Sequence, residues 1–327
     1  MIFVTKKFTL VGCGNVGSRH LQALTKLPFD IDVNIVEPSK DAQDLAKTRL
    51  NEIQKKDSNN KFSWYESIKE LGDSSDLAIV ATTAIDRVKI LNELLELGED
   101  RFLVEKMVCQ STNEYDSLLT KMKHFKAKGW VNTNLRYFES WQNIKKYFED
   151  SEFIHLSVIA SNISALGTNV IHYIDLFSFL TNDYNIKLNG DFLLNKLYPN
   201  KRGKHLKEFA GSLFGSIKSG SSLAITFIPD CDLPNILNIA GNHKHLMIDE
   251  LNEKMFDLTN KNDQEFQFKY ELASSLTTKI AKDIIEKGDC DLTTIENSYH
   301  LHAEIFRVFN AHIKKLTNED VKLCPIT

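Results

Sequence analysis

The chain has 327 residues, of which 42% are hydrophobic, and a formal net charge of -4, and we infer from this length and apolar content two domains around sizeable cores. A weakly acidic chain lacks the basic surface that nucleic-acid binding needs, and no apolar run reaches the roughly 18 residues of a membrane-spanning helix. The five cysteines fit neither a disulfide framework nor a zinc site, so we expect a cytoplasmic protein with reduced thiols, no metal, and neither nucleic acid nor membrane as partner.

The first 125 residues alternate strand and helix patterns, the order that builds βαβ units around a parallel sheet. Predicted strands cover 8–12, 31–38, the start of 61–71, 76–83 and 101–107. Predicted helices cover 15–25, 42–51, the rest of 61–71, 86–97 and 113–128. We assign this parallel-sheet domain to 1–125.

The pattern changes from about residue 153, where a strand is followed by a mostly buried helix at 170–180. Strand-like runs then follow at 211–218, 221–228, 235–240, 245–249, 255–259 and 265–270. Turn signals join them, at 219–220, 241–242 and 260–263, and helices at 272–287 and 293–315 end the pattern. We predict a second domain over 126–327 with an open, mostly antiparallel sheet, and place the boundary between 125 and 152.

Three glycines follow the first predicted strand, in the segment FTLVGCGNVGSRH that covers residues 8–20. In a dinucleotide-binding turn, Gly12 permits the tight bend, Gly14 lets the backbone approach a pyrophosphate, and Gly17 lets the helix pack on the strand. The phosphates would lie on the helix N-terminus beside Asn15 and Val16. We therefore predict a dinucleotide site; FAD, S-adenosylmethionine or a turn without ligand are the alternatives.

An acidic residue, Glu37, lies 20 residues beyond Gly17, at the end of the second predicted strand. Its carboxylate would accept both hydroxyls of the adenine ribose and repel a 2′-phosphate. No arginine directly follows it, although Lys40 is near. We therefore expect NAD rather than NADP.

Two later strand ends carry polar residues, and ligands of open α/β sheets lie outside the carboxyl ends of strands. Thr82, Thr83 and Ala84 follow the first of these strands and would line the cofactor; a simple helix cap is the alternative. Glu105 and Lys106 end the next strand after three apolar residues. Lys106 there could donate a proton or hydrogen bond to a substrate oxygen, whereas the alternative is a surface salt bridge.

The helix in NVIHYIDLF (169–177) carries a polar group of three residues. His172 and Asp175 are three residues apart, and Asn169 precedes His172 by one turn, so they share roughly one face. A histidine in an apolar helix is more often a satisfied core residue, but this cluster favours a polar pocket wall.

Together these motifs resemble the Gfo/Idh/MocA oxidoreductases, which include glucose–fructose oxidoreductase and inositol dehydrogenase. GCGNVGSRH resembles the family's G-x-G-x-x-G-x-x-H opening, with His20 included, and VATTAIDR resembles its A-T-P/T strand end. VEKM resembles its E-K-P, VNTNLRYFESW its N-x-R-[FY] strand end, and NVIHYIDLF its G-I-H-x-x-D-L helix. CDLTTIENSYHLHAEIF resembles its closing helix, so the resemblance covers nearly the whole chain.

The resemblance implies a Rossmann domain followed by an α+β domain whose open sheet often forms a dimer or tetramer interface. It implies hydride transfer between nicotinamide and a sugar, sugar nucleotide or cyclitol. Lys106 would be the catalytic lysine, His172 the acid/base or substrate-orienting histidine, and Glu105 a residue on the cofactor side. The residues implied to line the substrate pocket are Asn134, Arg136, Tyr137, Asn169 and Asp175.

Two positions depart from the family pattern. The proline after the lysine is Met107 here, so we expect the Lys106–Met107 bond to be trans. The aspartate that many members carry one turn before the histidine is Thr168, which removes an Asp–His relay, although Asn169 could take part of that role. Some relatives acting on nucleotide-linked sugars share this departure, which favours a sugar or sugar nucleotide of surface-polysaccharide synthesis.

Two alternatives keep the cofactor and change the outcome. One is a non-catalytic sensor or scaffold that binds NAD, which the departures at Met107 and Thr168 would explain. The other is an NAD-dependent glycosidase, since some relatives hydrolyse their substrates.

Overall fold

The computed structural model describes residues 5–53, 59–161, 165–259 and 264–327, which divide into two units. The first unit comprises Met1–Cys109, Asn113–Asn134 and Glu271–Glu296. The second comprises Gln110–Thr112, Leu135–Tyr270 and Asn297–Thr327.

A six-stranded parallel sheet forms the centre of the first unit. Its strands are β1 (Lys6–Val11), β2 (Ile31–Val36), β3 (Lys61–Tyr65), β4 (Leu77–Val80), β5 (Arg101–Val104) and β6 (Lys128–Val131). Their order is β3-β2-β1-β4-β5-β6, and every neighbouring pair is parallel. This order reverses direction beside β1, and such a switch point is where doubly wound sheets bind dinucleotides.

Helices connect these strands, as the alternating pattern predicted. They are α1 (Gly17–Leu24), α2 (Lys40–Asn51), α3 (Arg87–Leu97) and α4 (Thr112–Phe125). The exception is 61–71, where the predicted helix is wrong, because only a single 3-10 turn forms at Ile68–Glu70. Gly72 and a run of short polar residues follow that turn and do not favour a longer helix.

The second unit is built on an eight-stranded sheet. Its elements are α5 (Glu139–Tyr147), β7 (His155–Ala160), α6 (Leu166–Thr181), β8 (Lys187–Leu193), β9 (Tyr198–Asn200), β10 (Gly203–Glu208), β11 (Gly211–Ser216), β12 (Ser222–Phe227), β13 (Ile236–Gly241), β14 (Lys244–Asp249), β15 (Lys254–Asp257) and β16 (Gln264–Gln267). The sheet order is β16-β15-β14-β13-β7-β12-β11-β8, and only the β7–β12 pair is parallel. Strands β9 and β10 form a separate antiparallel hairpin.

Two long helices follow the second sheet, α7 (Ala273–Lys287) and α8 (Ile295–Thr317). Helix α7 belongs to the first unit, where the Thr278 hydroxyl donates to the Ala23 carbonyl at 2.8 Å on α1. Beyond it, Thr294 bridges to Trp130 at the β6 edge, and Gly129 leaves room there for the Ile295 side chain.

The predicted α/β class, a parallel sheet followed by a mainly antiparallel one, is confirmed. The compact units nevertheless differ from the ranges 1–125 and 126–327, since β6 and segment 271–296 lie in the first unit. The sequence patterns did not predict α5 or β8–β10, because the alternation of apolar and polar residues there is weak. The predicted turn at 260–263 lies outside the described residues. Among the described helices, none is both long and apolar enough to cross a bilayer.

Candidate functional site

The glycine turn after β1 forms an open cradle. Gly12 has φ +83°, and a Cβ there would lie 2.9 Å from the Thr82 amide nitrogen. A Cβ on Gly17 would lie 1.9 Å from the Gly12 carbonyl oxygen, so only glycine allows α1 to pack this closely. At Gly14, by contrast, no atom of a described residue other than its two chain neighbours lies within 4 Å of the Cβ position. The turn is closed on its protein side and open on the other, which fits the approach of a pyrophosphate.

Glu37 sits at the end of β2 against the same turn. Its two carboxylate oxygens accept from the Cys13 amide at 2.7 Å and the Ser39 amide at 2.9 Å. Burial and the Glu37 charge raise the pKa of Cys13 to about 12, an effect that Arg49 only partly offsets. The Cys13 thiol is therefore neutral, and the carboxylate is held where a ribose would lie in a dinucleotide-binding turn.

A cation that the sequence analysis passed over, Arg49, also contacts the turn. From the last turn of α2, its guanidinium donates to the Asn15 carbonyl at 3.0 Å, the Ser18 hydroxyl at 2.7 Å and the Asn15 side-chain oxygen at 3.3 Å. Since Arg49 follows Glu37 by 12 residues, only the fold of α2 brings it back to the loop.

The loop after β4 is held by a second arginine, Arg87. Its guanidinium donates to the carbonyl oxygens of Thr82, Glu105 and Met107, and so joins the ends of β4 and β5. Of the three predicted cofactor-lining residues here, Thr82 is half-buried and Thr83 exposed, whereas Ala84 is buried. Arg87 was visible in the sequence as the last residue of VATTAIDR, but nothing local indicated its partners.

Glu105 is the centre of a buried polar network in the first unit. One of its oxygens lies 3.0 Å from His20 Nε2, and the Asn132 amide donates to the same oxygen. Burial alone would raise the pKa of Glu105, but the hydrogen bond and charge of His20, together with Asn132 and Lys106, lower it to about 2. Glu105 is thus a fixed anion next to Lys106.

Lys106 is buried at the carboxyl end of the parallel sheet, with 6% of its surface exposed. The Lys106–Met107 peptide is cis, so the expected trans bond is wrong. The trans expectation followed from the missing proline, but a secondary amide also has a cis form, at higher cost than before proline.

In the second unit, Arg136 and Asp175 form a buried ion pair. Arg136 Nε lies 2.9 Å from Asp175 Oδ2 and its Nη2 lies 3.0 Å from Oδ1, and the guanidinium also contacts the Tyr184 hydroxyl at 3.3 Å. Burial lowers the pKa of Arg136, but Asp175 and Tyr184 outweigh it and keep the pKa above its ordinary value. The structure thus brings these two predicted substrate residues together, with Tyr137 buried nearby in the chain.

Helix α6 is mostly buried, but Asn169 and His172 are half-buried on its surface. One turn before His172, Thr168 contacts a carboxylate from another element: its amide donates to Glu208 at 3.2 Å, and its hydroxyl donates to the same side chain. Asn134 lies at the start of a 3-10 turn, at the boundary of the two units.

No protein-family profile matches the chain. A curated protein, autophagy-related protein 11 of Kluyveromyces lactis, is 23% identical over 237 residues, which are 71% of this chain. The chain spans about a fifth of that relative's length (21%).

Several solved structures have the same fold over nearly the whole chain. An oxidoreductase from Agrobacterium radiobacter, in complex with NAD+, L-tartaric acid and magnesium, has a TM-score of 0.73 at 13% identity over 97% of this chain and 98% of its own. A UDP-N-acetylglucosamine 3-dehydrogenase from Acidithiobacillus ferrooxidans has a TM-score of 0.68 at 14% identity, over 93% and 97%. A 3-ketoreductase from Actinomadura kijaniata, in complex with NADP, has a TM-score of 0.70 at 14% identity, over 93% and 96%.

The TM-scores show a shared fold, whereas identities of 13–14% carry no activity over to this chain. The chain therefore shares the fold of these three oxidoreductases.

Proposed function

We propose that this protein is an NAD(P)-dependent oxidoreductase of the Gfo/Idh/MocA type, acting on a CH–OH group of a sugar, sugar nucleotide or cyclitol. One observation carries the proposal. The open glycine cradle after β1 and the buried Glu105–Lys106 pair after β5 lie at the carboxyl edge of one parallel sheet. That edge is where doubly wound sheets place a dinucleotide.

The chain's own residues suit a nicotinamide dinucleotide, which supplies or accepts the hydride. Main-chain N–H groups of the turn from Gly14 to Gly17 would hold its pyrophosphate, and Glu37 would accept ribose hydroxyls. Thr82 and Thr83 would line the cofactor after β4. We propose NAD as the preferred form because Glu37 repels a 2′-phosphate.

Lys106 is proposed as the residue that holds or moves the proton on the substrate oxygen. The neighbouring Glu105 carboxylate is ionised at neutral pH and places a fixed negative charge next to Lys106, whose side chain can donate a hydrogen bond to the substrate oxygen. We propose His172 as a second acid/base or orienting group, with Asn169, Asn134 and Tyr137 contacting substrate. Because Arg136 and Asp175 bind each other, we propose that they support the substrate pocket rather than contact the substrate.

The open face of the eight-stranded sheet is proposed as a homodimer or homotetramer interface. On that face Ile159 (41% exposed), Phe214 (42%) and Phe192 (64%) alternate with small and polar residues. Ile159→Glu should yield monomers in light scattering, whereas an unchanged mass would exclude this face as the interface.

Lys106→Ala tests the enzymatic assignment. We expect loss of turnover with a panel of sugar nucleotides, sugars and cyclitols, while the Kd for NADH stays within a few-fold. Lys128→Ala, an exposed lysine at the start of β6, is the matched control and should behave as wild type. Turnover that persists in Lys106→Ala would remove the chemistry from Lys106.

The same measurements separate the alternatives. A sensor or scaffold would bind NADH and show no redox change with any compound of the panel. A glycosidase would release free sugar with no net change in NADH. A product oxidised or reduced in step with the cofactor excludes both.

A further inference from the structure

A cleft of about 460 Å³ opens within the second unit. Its walls come from the first turn of α6, the β9–β10 hairpin and the residues after β12. The groups that matter for a ligand are Thr168, Asn169, Asn200, Lys201, Arg202 and Glu208. Only Asn169 among these figured in the sequence analysis as a substrate residue.

The floor of the cleft is a buried hydrogen-bond network around Glu208, of which 6% is exposed. Its carboxylate accepts from the amide and hydroxyl of Thr168, and from the Asn200 side-chain amide at 2.6 Å. Asn200 also donates to the Thr168 hydroxyl at 3.2 Å. Because the Thr168 amide lies in the first turn of α6, the helix N-terminus is already occupied by this carboxylate and compensates its charge.

The network also fixes a cationic turn. The side-chain oxygen of Asn200 accepts from the Arg202 amide at 2.7 Å, which holds the backbone that carries Lys201 and Arg202. The Arg202 guanidinium donates to the main-chain oxygen of Thr327 at 3.3 Å and is thereby oriented. An oriented guanidinium such as that of Arg202 binds an anionic group at lower entropic cost than a mobile side chain, and Lys201 adds an exposed cation beside it.

The charged groups of the cleft come from different elements. Both cations are on the hairpin turn, whereas the acidic groups are Glu208 in the floor and Asp230 after β12. Tyr198, at the start of the hairpin, offers an aromatic ring beside them. A ligand with one anionic end and several hydroxyl groups matches this division: its anion contacts the turn, and its hydroxyls contact the amides and carboxylates.

The first turn of α6, which lines the cleft, precedes the proposed acid/base residue on the same helix. Thr168 and Asn169 precede His172 by four and three residues, so the three side chains lie on neighbouring positions of one α6 face. A ligand seated in the cleft would therefore extend along the side of α6 that carries His172.

We propose that this cleft binds the phosphorylated part of the substrate, so that the substrate is a glycosyl phosphate or sugar nucleotide rather than a free sugar or cyclitol. Lys201 and Arg202 contact the phosphate oxygens, and the Thr168–Asn200–Glu208 network positions that turn and the first turn of α6. The inference rests on the proposed function and narrows its substrate class.

Binding of UDP and dTDP, measured by calorimetry with NADH present at saturation, tests the proposal. For wild type we expect saturable binding of at least one of the two, at least about tenfold tighter than its uncharged nucleoside. The double variant Lys201→Ala/Arg202→Ala should weaken that binding by about tenfold or more. Lys204→Ala, an exposed lysine of the same hairpin that does not line the cleft, should leave it within twofold.

Both substituted residues are exposed, so the double variant is expected to fold, and its NADH affinity serves as the check. Unchanged diphosphate binding in the double variant, or no binding by wild type while NADH still binds, would overturn the cleft assignment alone. Failure of NADH itself to bind would instead contradict the proposed function.

Discussion

His20 Nε2 lies 3.0 Å from Glu105 Oε1, joining the helix after the glycine turn to the end of β5 across 85 residues of sequence. Since an ionised carboxylate only accepts hydrogen bonds, His20 must donate through Nε2. Its Nδ1 lies 2.9 Å from the Thr277 hydroxyl on α7. The glycine-turn motif and the Glu-Lys motif are therefore joined in one buried network. This network holds Glu105, the residue next to Lys106.

This pair should appear in the acid stability of the protein. The folded pKa of Glu105, about 2, lies below the ordinary 4.5, so its stabilisation is present above pH 4.5 and is lost as the pH falls toward 2. The difference corresponds to roughly 3 kcal/mol. We therefore expect His20→Ala to lower the unfolding free energy more at pH 7 than at about pH 2.5, measured by urea denaturation.

Glu105→Gln supplies the control, since it removes the titrating group. In that background the cost of His20→Ala should be the same at both pH values. An equal cost at both pH values in the wild-type background would show that His20 acts through packing alone.

Glu250 should give the opposite pH dependence. Burial raises its pKa to about 7, with Asn235 and Tyr173 only partly offsetting the effect, and the Tyr173 hydroxyl lies 3.5 Å from the carboxylate. The folded protein therefore holds this proton more tightly than the unfolded chain, and the stability is greatest below pH 4.5 and lost as the pH rises through about 7. We expect Glu250→Gln to stabilise the protein by up to roughly 3 kcal/mol at about pH 8.5 and to change little at about pH 4.5.

Thermal or urea unfolding of wild type and Glu250→Gln at the two pH values measures this effect. Asp249→Asn, the preceding residue, is half-exposed and is the matched control. A stability difference that does not grow with pH would contradict the buried, protonated state of Glu250.

Removing one partner of the Arg136–Asp175 pair should destabilise the fold far more than replacing both partners with apolar residues. In the wild type, Asp175 keeps the pKa of the buried Arg136 guanidinium high. Asp175→Ala leaves that guanidinium without its counterion, and we expect a loss of about 3–5 kcal/mol in unfolding free energy. The double change Arg136→Met/Asp175→Leu should recover most of that loss, because it removes both buried charges. If the double variant is as unstable as Asp175→Ala, the cost lies in lost packing and hydrogen bonds rather than in the unpaired charge.

Arg49 should set how well the glycine turn tolerates a 2′-phosphate. A guanidinium has five N–H groups, and the three contacts with Asn15 and Ser18 leave two without a partner among the described residues. We expect Arg49→Gln to weaken NADPH binding about tenfold more than NADH binding, measured as Kd by fluorescence titration. Glu37→Gln should improve NADPH binding relative to NADH, and equal losses for both cofactors in Arg49→Gln would mean that Arg49 only orders the loop.

Local pattern was enough for most of the first unit. The apolar runs of β1 and β4, the glycines between strand and helix, and the position of Glu37 are each readable within about 20 residues, because strands and turns follow local periodicity and backbone freedom. The helix expected within 61–71 was wrong since tertiary context, rather than periodicity, decided its length. The return of 271–296 to the first unit left no local signal at all.

The two departures from the family pattern, at Thr168 and Met107, had different outcomes in the structure. The loss of an aspartate at 168 was correct as a statement about the sequence, yet Glu208, 40 residues away, brings a carboxylate to Thr168. At Met107 the expectation of a trans bond followed from residue type, and the structure has the cis form. Residue type at one position does not determine what a distant segment places against it.

What the sequence by itself determined is the class of the fold and the chemistry available at each strand end: glycines for a turn, an acid after β2, and a Glu-Lys pair after β5 whose burial it left open. Only the tertiary structure decided the partners: His20 with Glu105, Arg49 with the turn, Arg136 with Asp175, and Glu208 with Thr168. The physical reason is that backbone conformation and burial pattern arise from neighbours in sequence, whereas charge pairing and hydrogen bonding are satisfied in space. The partners therefore come from whichever element the packing brings near.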